Sequence, residues 1–265
     1  MKVVPNMSFR YNGWTIEKRG CVLKTTIIIP TYNEAENLPK LLTALFDLPI
    51  EDLSVLVVDD NSSDGTGQIA DEFAHAHPNH LSVMHRAGKL GLGSAYIQGF
   101  IELLKGDSDA IGQMDADFSH NPRKVLELAA ALETCDVAVG SRYVHGGSLD
   151  KDWPFWRKRM SAFGNFYART ILRLPLSDTT GGFRLWRRET LAALPLKRVR
   201  SNGYIFQVET AYVTHKLGFQ FKEVPIYFAE RRWGQSKMSF KIQVEAALRV
   251  WALPHLYRDL KPLSK

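Results

Sequence analysis

The sequence predicts an α/β protein built on a doubly wound, mostly parallel sheet with helices on both faces. Short β-branched apolar runs alternate with helical patterns of about 10–15 residues. Polar clusters follow four of these runs directly. The 265 residues, 45% of them hydrophobic, are enough for a full core. This alternation implies right-handed crossovers between parallel strands.

The first half of the chain shows the rhythm element by element. The strands are predicted at 25–30, 53–58, 81–85, 110–114 and 137–140. A capping segment at 33–37 opens a helical pattern that continues to Phe46. The later helices are predicted at 67–76, 94–104 and 123–132. Ligands of such sheets bind beyond the carboxyl ends of the strands, so we expect the polar clusters there to form one site.

Two apolar stripes with basic flanks follow in the second half. Both stripes contain Trp at helical spacing, and their members are Trp156, Met160, Phe163, Tyr167, Ile171 and Leu174, then Phe240, Val244, Leu248 and Trp251. An apolar face beside Lys and Arg suits a helix lying on a membrane surface. Packing against the sheet explains the same pattern, and the sequence leaves both interpretations open.

The charge is divided unevenly along the chain. Residues 1–140 carry 11 Lys/Arg and 19 Asp/Glu, a net −8, whereas residues 141–265 carry 23 and 9, a net +14. The acidic part suits a metal-loaded site. The basic part suits a polyanion, namely membrane phospholipid, a phosphorylated substrate or nucleic acid, or is a solvated basic surface.

The cysteines and the apolar segments indicate the compartment. Cys21 and Cys135 are far apart in sequence and form no disulfide framework or metal motif, so we expect reduced thiols in an intracellular protein. No signal-peptide segment is evident, and no apolar stretch approaches the ~20 residues that span a bilayer. We expect a cytoplasmic protein that is soluble or peripheral to a membrane.

An acidic pair, Asp115 and Asp117, follows the fourth predicted strand, with Gln113 and His120 close by. Carboxylates one residue apart can hold Mg²⁺ or Mn²⁺, which prefer carboxylate, water and phosphate oxygens. A metal between the pair and a diphosphate would neutralise the charge of a departing nucleotide. The alternative is that the two aspartates only cap a helix.

A second acidic pair, Asp59 and Asp60, follows the second predicted strand. A carboxylate at a strand end can bind a ribose or the N–H edge of a base. The G-x-G-x-x-G fingerprint of dinucleotide binding is absent after the first strand. Residues 91–94 (GLGS) indicate a turn or a close approach of backbone to ligand. P-loop, zinc and serine-nucleophile motifs are also absent.

Ordered motifs over residues 25–240 resemble a known family. Four of them are similar to the family 2 glycosyltransferases of GT-A fold: 30–34 (PTYNE), 57–62 (VVDDNS), 114–117 (MDAD) and 140–143 (GSRY). Four more resemble the dolichol-phosphate, or polyprenol-phosphate, mannosyltransferases: 153–158 (WPFWRK), 178–184 (DTTGGFR), 203–209 (GYIFQVE) and 230–237 (ERRWGQSK).

The resemblance implies roles for individual residues. The donor nucleotide-sugar would be bound by Pro30, Tyr32, Glu34, Asp60, Asp115, Asp117, Arg231 and Lys237. The acceptor phosphate would be bound by Arg142, Arg157, Ser161 and Lys237. Asp115 and Asp117 would hold Mg²⁺ or Mn²⁺, and Asp117, Arg142, Arg157 and Ser161 would be catalytic. Some members use a Gln two residues after the acidic pair as a further ligand, where this chain has Ser119, so we expect a hydroxyl or water there.

Asp178 and Glu209 also belong to these motifs. They could orient the arginines or contact sugar hydroxyls. A second interpretation makes Glu209 an ion-pair partner on a helix face.

The resemblance also implies the activity and its setting. It predicts inverting transfer of mannose from GDP-mannose to a polyprenyl (dolichyl-type) monophosphate on the cytoplasmic face of a membrane. A GT-A catalytic domain would cover 25–240, after an N-terminal extension at 1–24 and before a C-terminal amphipathic helix and tail at 241–265.

Other functions remain as alternatives. They are a polyprenyl-phosphate glucosyltransferase that uses UDP-glucose and a non-catalytic carbohydrate- or lipid-binding subunit. We expect an anionic membrane surface as a partner and no nucleic acid. Whether a membrane-anchoring subunit takes part is left open.

Overall fold

A computed structural model describes residues 8–11, 14–17, 23–230 and 240–263, with side chains for 23–230 and 247–263. Cys21, Arg231 and Lys237 therefore lie outside the described residues. The strands are β1 Ser8–Tyr11, β2 Trp14–Glu17, β3 Thr25–Thr31, β4 Leu53–Asp59, β5 Leu81–His85, β6 Ala110–Gln113, β7 Val137–Ser141, β8 Ser148–Leu149, β9 Arg184–Arg187, β10 Phe221–Pro225 and β11 Tyr227–Phe228.

The helices alternate with these strands through the first half of the chain. They are α1 Leu38–Phe46, α2 Thr66–Ala76, α3 Leu92–Leu103, α4 Lys124–Ala131, α5 Phe155–Leu172, α6 Arg188–Ala193, α7 Tyr204–Lys216 and α8 Phe240–Leu256. A 3₁₀ turn, Leu196–Arg198, follows α6. Every helix and strand predicted up to β7 is present within one or two residues of its expected ends. Helix α1 begins at Leu38, directly after the capping segment predicted at 33–37.

Seven strands form the central sheet in the order β10-β7-β9-β6-β3-β4-β5. All pair in parallel except β9, which is antiparallel to both β6 and β7. The doubly wound, mostly parallel class predicted from the sequence is confirmed. Because β9 runs the opposite way, the residues that precede it lie at the edge where the parallel strands end.

Both faces of the sheet are covered, as the continuous apolar runs predicted. Along β3, Ile27 and Ile29 belong to one hydrophobic cluster and Ile28 belongs to the other, and all three are at most 1% exposed. Alternate side chains of a strand point to opposite faces, so one strand contributes to two cores. Cys135 is a buried free thiol.

Helices α5 and α8 pack together beside the sheet, where the Tyr167 hydroxyl donates to the Ala247 carbonyl (3.2 Å) and accepts from the Trp251 indole (2.8 Å). Val250 and Leu253, on the inner face of α8, join the hydrophobic cluster on one face of the sheet. Among the described helices, none is long and apolar enough to cross a membrane. The division of the chain at residues 24 and 240 stays a prediction.

Candidate active site

The loops after β3 and β4 bind each other at the carboxyl edge of the sheet. The Thr31 hydroxyl donates to Asp59 (2.9 Å), and the Ser63 amide donates to the Asn33 side chain (3.0 Å). Asn33 and Asn61 both have left-handed backbone, at φ 60° and 58°. Asn tolerates this region better than most residues, so both turns keep tight geometry. Asp59 is buried and supports the loop.

Asp60, predicted to bind the donor, is 6% exposed and forms an ion pair of 2.5 Å with Arg86. Its second oxygen accepts the Leu90 amide (3.2 Å), and Arg86 also donates to the Ser94 hydroxyl (2.5 Å). The sequence interpretation missed Arg86. The signal was present, since Arg86 directly follows β5 at the same edge of the sheet as the other polar clusters.

Three more of the predicted donor residues, Pro30, Tyr32 and Glu34, lie around the end of β3. Pro30 pairs with Val58 in the sheet. Tyr32 is 40% exposed, with the Lys89 ammonium 3.7 Å from its ring centroid. Glu34 accepts a hydrogen bond from the Asn37 side chain (2.7 Å). An exposed aromatic ring beside a strand end offers a stacking surface to a base.

The predicted metal pair follows β6, which neighbours β3 in the sheet. Asp115 accepts the hydroxyl of the buried Tyr96 (3.2 Å). Burial, together with Asp115, raises the pKa of Tyr96 well above its ordinary value, so it stays a donor. Asp117 is 4% exposed and accepts the Ser119 amide (3.0 Å). Phe118, between Asp117 and Ser119, has φ 57°, which is a strained backbone conformation for a bulky residue.

The donor set fits a hard divalent cation. In the part of the chain that the structure describes, no group of three or more His, Cys, Asp or Glu could hold a metal alone. Mg²⁺ usually takes one or two carboxylates and completes its shell with water and substrate phosphate. The Ser119 hydroxyl is buried beside Asp117 without a hydrogen-bond partner among the described residues. An unsatisfied buried oxygen suits a ligand or a bound water there.

Four aromatic rings lie between the acidic loop and the basic residues. His120 stacks on Phe183 at 4.9 Å and meets the edge of Phe228 at 5.3 Å. Phe228 also contacts Trp153 at 5.7 Å and lies 5.2 Å from the Arg142 guanidinium. Burial lowers the pKa of His120 despite the nearby aspartates, so the ring is neutral at pH 7. The predicted metal pair and Arg142 therefore belong to one cluster.

Arg142 is buried and forms a bidentate ion pair with Asp178. Its Nε and Nη2 atoms donate to the two carboxylate oxygens at 2.6 Å, and Nη2 also donates to Thr180 (2.8 Å). Burial raises the pKa of a carboxyl group, but Arg142 overcomes this and lowers the pKa of Asp178. The prediction that Asp178 orients an arginine is confirmed.

The loop before β9 is fixed by two buried side chains. Asn165 of α5 accepts the Thr179 and Thr180 amides at 2.7 and 3.1 Å. Arg184 is fully buried and donates to the carbonyls of Gly181, Gln207 and Thr179. Burial lowers the pKa of Arg184 to about 10, against the attraction of Asp178 and Glu223. This bracing holds Asp178 in place.

The other two predicted acceptor residues in the described part of the chain, Arg157 and Ser161, lie on α5. Arg157 donates to both oxygens of Glu230 (2.9 and 3.0 Å), and its guanidinium lies 3.7 Å from the Trp153 ring centroid. The Ser161 hydroxyl accepts from Tyr143 (2.7 Å), the residue after Arg142. The structure thus brings Arg142, Arg157 and Ser161 to one side of the site.

The surroundings of Glu209 differ from both interpretations of the sequence. It is fully buried and accepts the Ser201 amide (2.9 Å) and the Tyr257 hydroxyl (2.7 Å). Among the described residues it pairs with no arginine and lies on no exposed helix face. Its carboxylate joins α7, the loop before it and the residue after α8, a long-range contact that local sequence pattern does not reveal.

Comparison with known proteins decides the family. Residues 26–194 match the family model described as glycosyl transferase family 2, which is more than half of the chain. The chain belongs to glycosyltransferase family 2. It is 44% identical to an undecaprenyl-phosphate mannosyltransferase from Micrococcus luteus, over 90% of this chain and 98% of that protein. It is also 44% identical to a polyprenol monophosphomannose synthase from Mycolicibacterium smegmatis, over 86% and 85%.

Solved structures share the fold of this family 2 enzyme. A mannosyltransferase from Pyrobaculum calidifontis, in complex with GDP-Man and Mn²⁺, gives a TM-score of 0.54 at 22% identity over 89% of this chain and 73% of that one. Glucosyl-3-phosphoglycerate synthase from Mycobacterium tuberculosis, with Mn²⁺, UDP and phosphoglyceric acid, gives 0.60 at 18% over 91% and 80%. The predicted GT-A fold and the predicted resemblance to polyprenol-phosphate mannosyltransferases are confirmed.

Proposed function

We propose that this glycosyltransferase transfers mannose from GDP-mannose to a polyprenyl monophosphate, with inversion at the anomeric carbon. The cluster of His120, Phe228 and Trp153 carries the proposal, because it sets the acidic loop against Arg142 and Arg157. Such a site pairs a place for a metal-bound diphosphate with a place for an anionic acceptor. The names of the two relatives at 44% identity support mannose as the sugar and a polyprenyl phosphate as the acceptor.

The donor side is assigned to the ends of β3, β4 and β6. Tyr32 and Glu34 would contact the nucleoside, with Asp60 held in place by Arg86. Asp115 and Asp117 would hold Mg²⁺ or Mn²⁺ together with the diphosphate. When bound, the ion supplies positive charge to the departing GDP. The Mn²⁺ bound in both solved structures of this fold supports a divalent ion.

The acceptor side needs charge and alignment rather than a strong base. A phosphate monoester is anionic at neutral pH, so no proton has to be removed before it attacks. Arg142 is preorganised, because Asp178 binds the Nε–Nη2 edge of its guanidinium and fixes the orientation of the side chain before a ligand binds. Arg157 is 25% exposed and forms an ion pair with Glu230. An acceptor phosphate would compete with Glu230 for the Arg157 guanidinium. Ser161 lies beside this pair.

Exposed apolar side chains support a membrane-facing surface on α5 and α8. Trp156, Phe163 and Phe166 of α5 are 60–65% exposed, and Leu248 and Trp251 of α8 are 63–68% exposed. A contiguous apolar surface beside basic residues is typical of an interfacial helix. We propose peripheral contact with an anionic cytoplasmic membrane face. Arg231 stays a predicted donor ligand, and Lys237 stays a predicted ligand of both donor and acceptor.

The deciding experiment is transfer of radiolabelled sugar to a short polyprenyl phosphate. We expect label from GDP-mannose to appear in lipid, EDTA to stop the transfer, and added Mg²⁺ or Mn²⁺ to restore it. UDP-glucose in the same panel tests the glucosyltransferase alternative. Preferred turnover of UDP-glucose would refute the donor assignment. Transfer that is unaffected by EDTA would refute the requirement for a divalent metal ion.

A further inference from the structure

A pocket of about 230 Å³ opens between the 3₁₀ turn and the end of α8. None of its residues belongs to the candidate active site. It is lined by Lys197, Arg198, Arg200, Arg249, Leu256 and Tyr257. Arg249 and Leu256 are seven residues apart on α8, so they share one side of that helix. The pocket combines two segments that are distant in sequence.

Four of the six lining residues are cationic, and only one of them has a carboxylate partner among the described residues. Arg198 donates to both oxygens of Asp259, at 2.7 and 2.8 Å. No described carboxylate forms an ion pair with Lys197, Arg200 or Arg249. Like charges gathered at one concavity repel each other and attract an anion. The charges of Lys197, Arg200 and Arg249 therefore remain uncompensated by the described residues.

The polar side-chain groups facing the pocket are mainly donors. The Nε atom of Arg249 is buried without a hydrogen-bond partner among the described residues. The Tyr257 hydroxyl donates to the buried Glu209, on the side of α7. Lys and Arg have no acceptor atoms, so a ligand with several acceptor oxygens is required to pair with them. Phosphate groups match guanidinium donors in geometry and charge.

We propose that this pocket binds a phosphate-bearing anion, in addition to the donor and acceptor of the transfer reaction. Its volume is below that of sites for drug-sized ligands, so a small phosphate or a single headgroup is the appropriate size. The phosphate can belong to a free anion or to an anionic lipid, because Leu256 at the pocket is 43% exposed and Trp251 of the same helix is 63% exposed. The inference does not depend on the identity of the transferred sugar.

Calorimetric titration with pyrophosphate at low salt tests the site. EDTA is present throughout, so that metal-dependent binding at Asp115 and Asp117 does not contribute. The test variant combines Arg200→Gln with Arg249→Gln. A matched control combines Lys105→Gln with Lys222→Gln, which removes the same charge from exposed positions outside the pocket. We expect binding to weaken at least about tenfold in the test variant and less than about twofold in the control.

Vesicles distinguish the two sources of phosphate. The same proteins are floated with phosphatidylcholine vesicles that contain phosphatidic acid. If the test variant binds pyrophosphate more weakly than the control variant does, the pocket accepts a free anion. If the test variant binds the vesicles more weakly than the control variant does, the pocket accepts a lipid headgroup. Equal behaviour of test and control variants with both probes, or no binding by the wild type, overturns the proposal.

A second pair of substitutions guards against a folding defect. Melting curves without ligand show whether the Gln variant is folded. If it is not, Arg200→Lys with Arg249→Lys keeps the charge but removes the guanidinium geometry. We expect at least about threefold weaker binding from that variant with an unchanged melting curve. Wild-type affinity in a folded lysine variant would contradict guanidinium recognition of the phosphate.

Discussion

At the scale of single residues, the carboxyl edge of the sheet is held by buried charged groups that bind one another. Asp60 pairs with Arg86, Arg142 pairs with Asp178, and Arg184 binds backbone carbonyls. Removing one member of a buried pair costs more than the pair contributes, because a charge is left without a partner. These residues therefore fix the geometry of the site before any ligand binds.

Asp117→Ala should abolish metal-dependent transfer while the protein stays folded. The carboxylate is expected to hold the ion, and its loss removes a hard oxygen ligand. We expect at least a 100-fold lower kcat with either Mg²⁺ or Mn²⁺, measured by label transfer over a metal titration. Asp47→Ala, far from the site in sequence and exposed, is the control. Wild-type activity in the Asp117 variant would contradict the assignment.

Arg142→Ala should impair the acceptor more than the donor. Its guanidinium is on the side of the site with Arg157 and Ser161, whereas Asp115 and Asp117 are assigned to the diphosphate. We expect the KM for polyprenyl phosphate to rise or kcat to fall at least about tenfold, with GDP-mannose affinity changed less than about threefold. Titration of the donor alone measures the second quantity. An equal loss of donor binding would place Arg142 on the donor side.

Asp178→Asn should destabilise the fold in a pH-dependent way. The pKa of Asp178 is lowered in the folded state, so its stabilising contribution is complete above the ordinary carboxyl pKa of about 4 and is lost as the pH falls through the folded-state pKa. We expect a loss of about 3–5 kcal/mol in the free energy of unfolding at pH 7. Urea unfolding at pH 7 and at about pH 3.5 checks that the difference shrinks in acid.

At the scale of elements, α5 shows that one amphipathic pattern can serve two purposes. Trp156 and Phe163 are 63% and 65% exposed, whereas Ala168 and Leu172 are at most 4% exposed. The first half of the helix presents apolar side chains to the surroundings, and the second half packs against the sheet. Packing in the core is confirmed for the second half of the helix, and contact of the first half with a membrane stays a proposal.

Trp156→Ser with Phe163→Ser should weaken membrane contact without affecting folding. Both side chains are mostly exposed, so their removal changes little of the core. Each ring would contribute to membrane binding by entering the lipid interface. We expect at least about tenfold weaker binding to phosphatidylglycerol vesicles, measured by flotation. Leu263→Ser, exposed at 49% near the end of the chain, is the control. Unchanged vesicle binding by the double variant would refute the membrane-facing assignment.

At the scale of the whole molecule, the charge along the chain parallels the proposed division of labour. The net −8 of residues 1–140 includes the donor-side acids, and the net +14 of residues 141–265 includes the acceptor-side arginines and both amphipathic helices. A basic surface attracts anionic lipid and is screened by salt. Long-range attraction to anionic lipid and the proposed apolar contact of α5 and α8 with a membrane would thus act in the same direction.

Binding to anionic vesicles should therefore fall with ionic strength. We expect flotation with phosphatidylglycerol vesicles at about 50 mM salt and at least tenfold weaker binding at about 500 mM. Neutral phosphatidylcholine vesicles are the control and should show a smaller salt effect. A protein that stays in solution with anionic vesicles at low salt would contradict peripheral membrane binding. Retention on DNA under the same conditions would instead favour nucleic acid as the polyanion.

Local pattern was sufficient for the first half of the fold and for the residues at its strand ends. The β-branched run 25–30 predicted a buried strand of a sheet covered on both faces, and polar residues after parallel strands converge at one edge. Asp60, Asp115 and Arg142 were identified in this way. The strand β9 and the helix α7 were not, because their sequences carry no clear period and are set by long-range packing.

The sequence by itself determined the class of the sheet, the family motifs and the chemistry available at the strand ends. Only the tertiary structure decided how those groups are used. It reversed β9, which delivers Asp178 to Arg142, and it placed Arg86 on Asp60 and Glu209 beneath Tyr257. Alternation and composition are local properties of a chain, whereas the partner of a buried charge is chosen by contacts between segments dozens of residues apart.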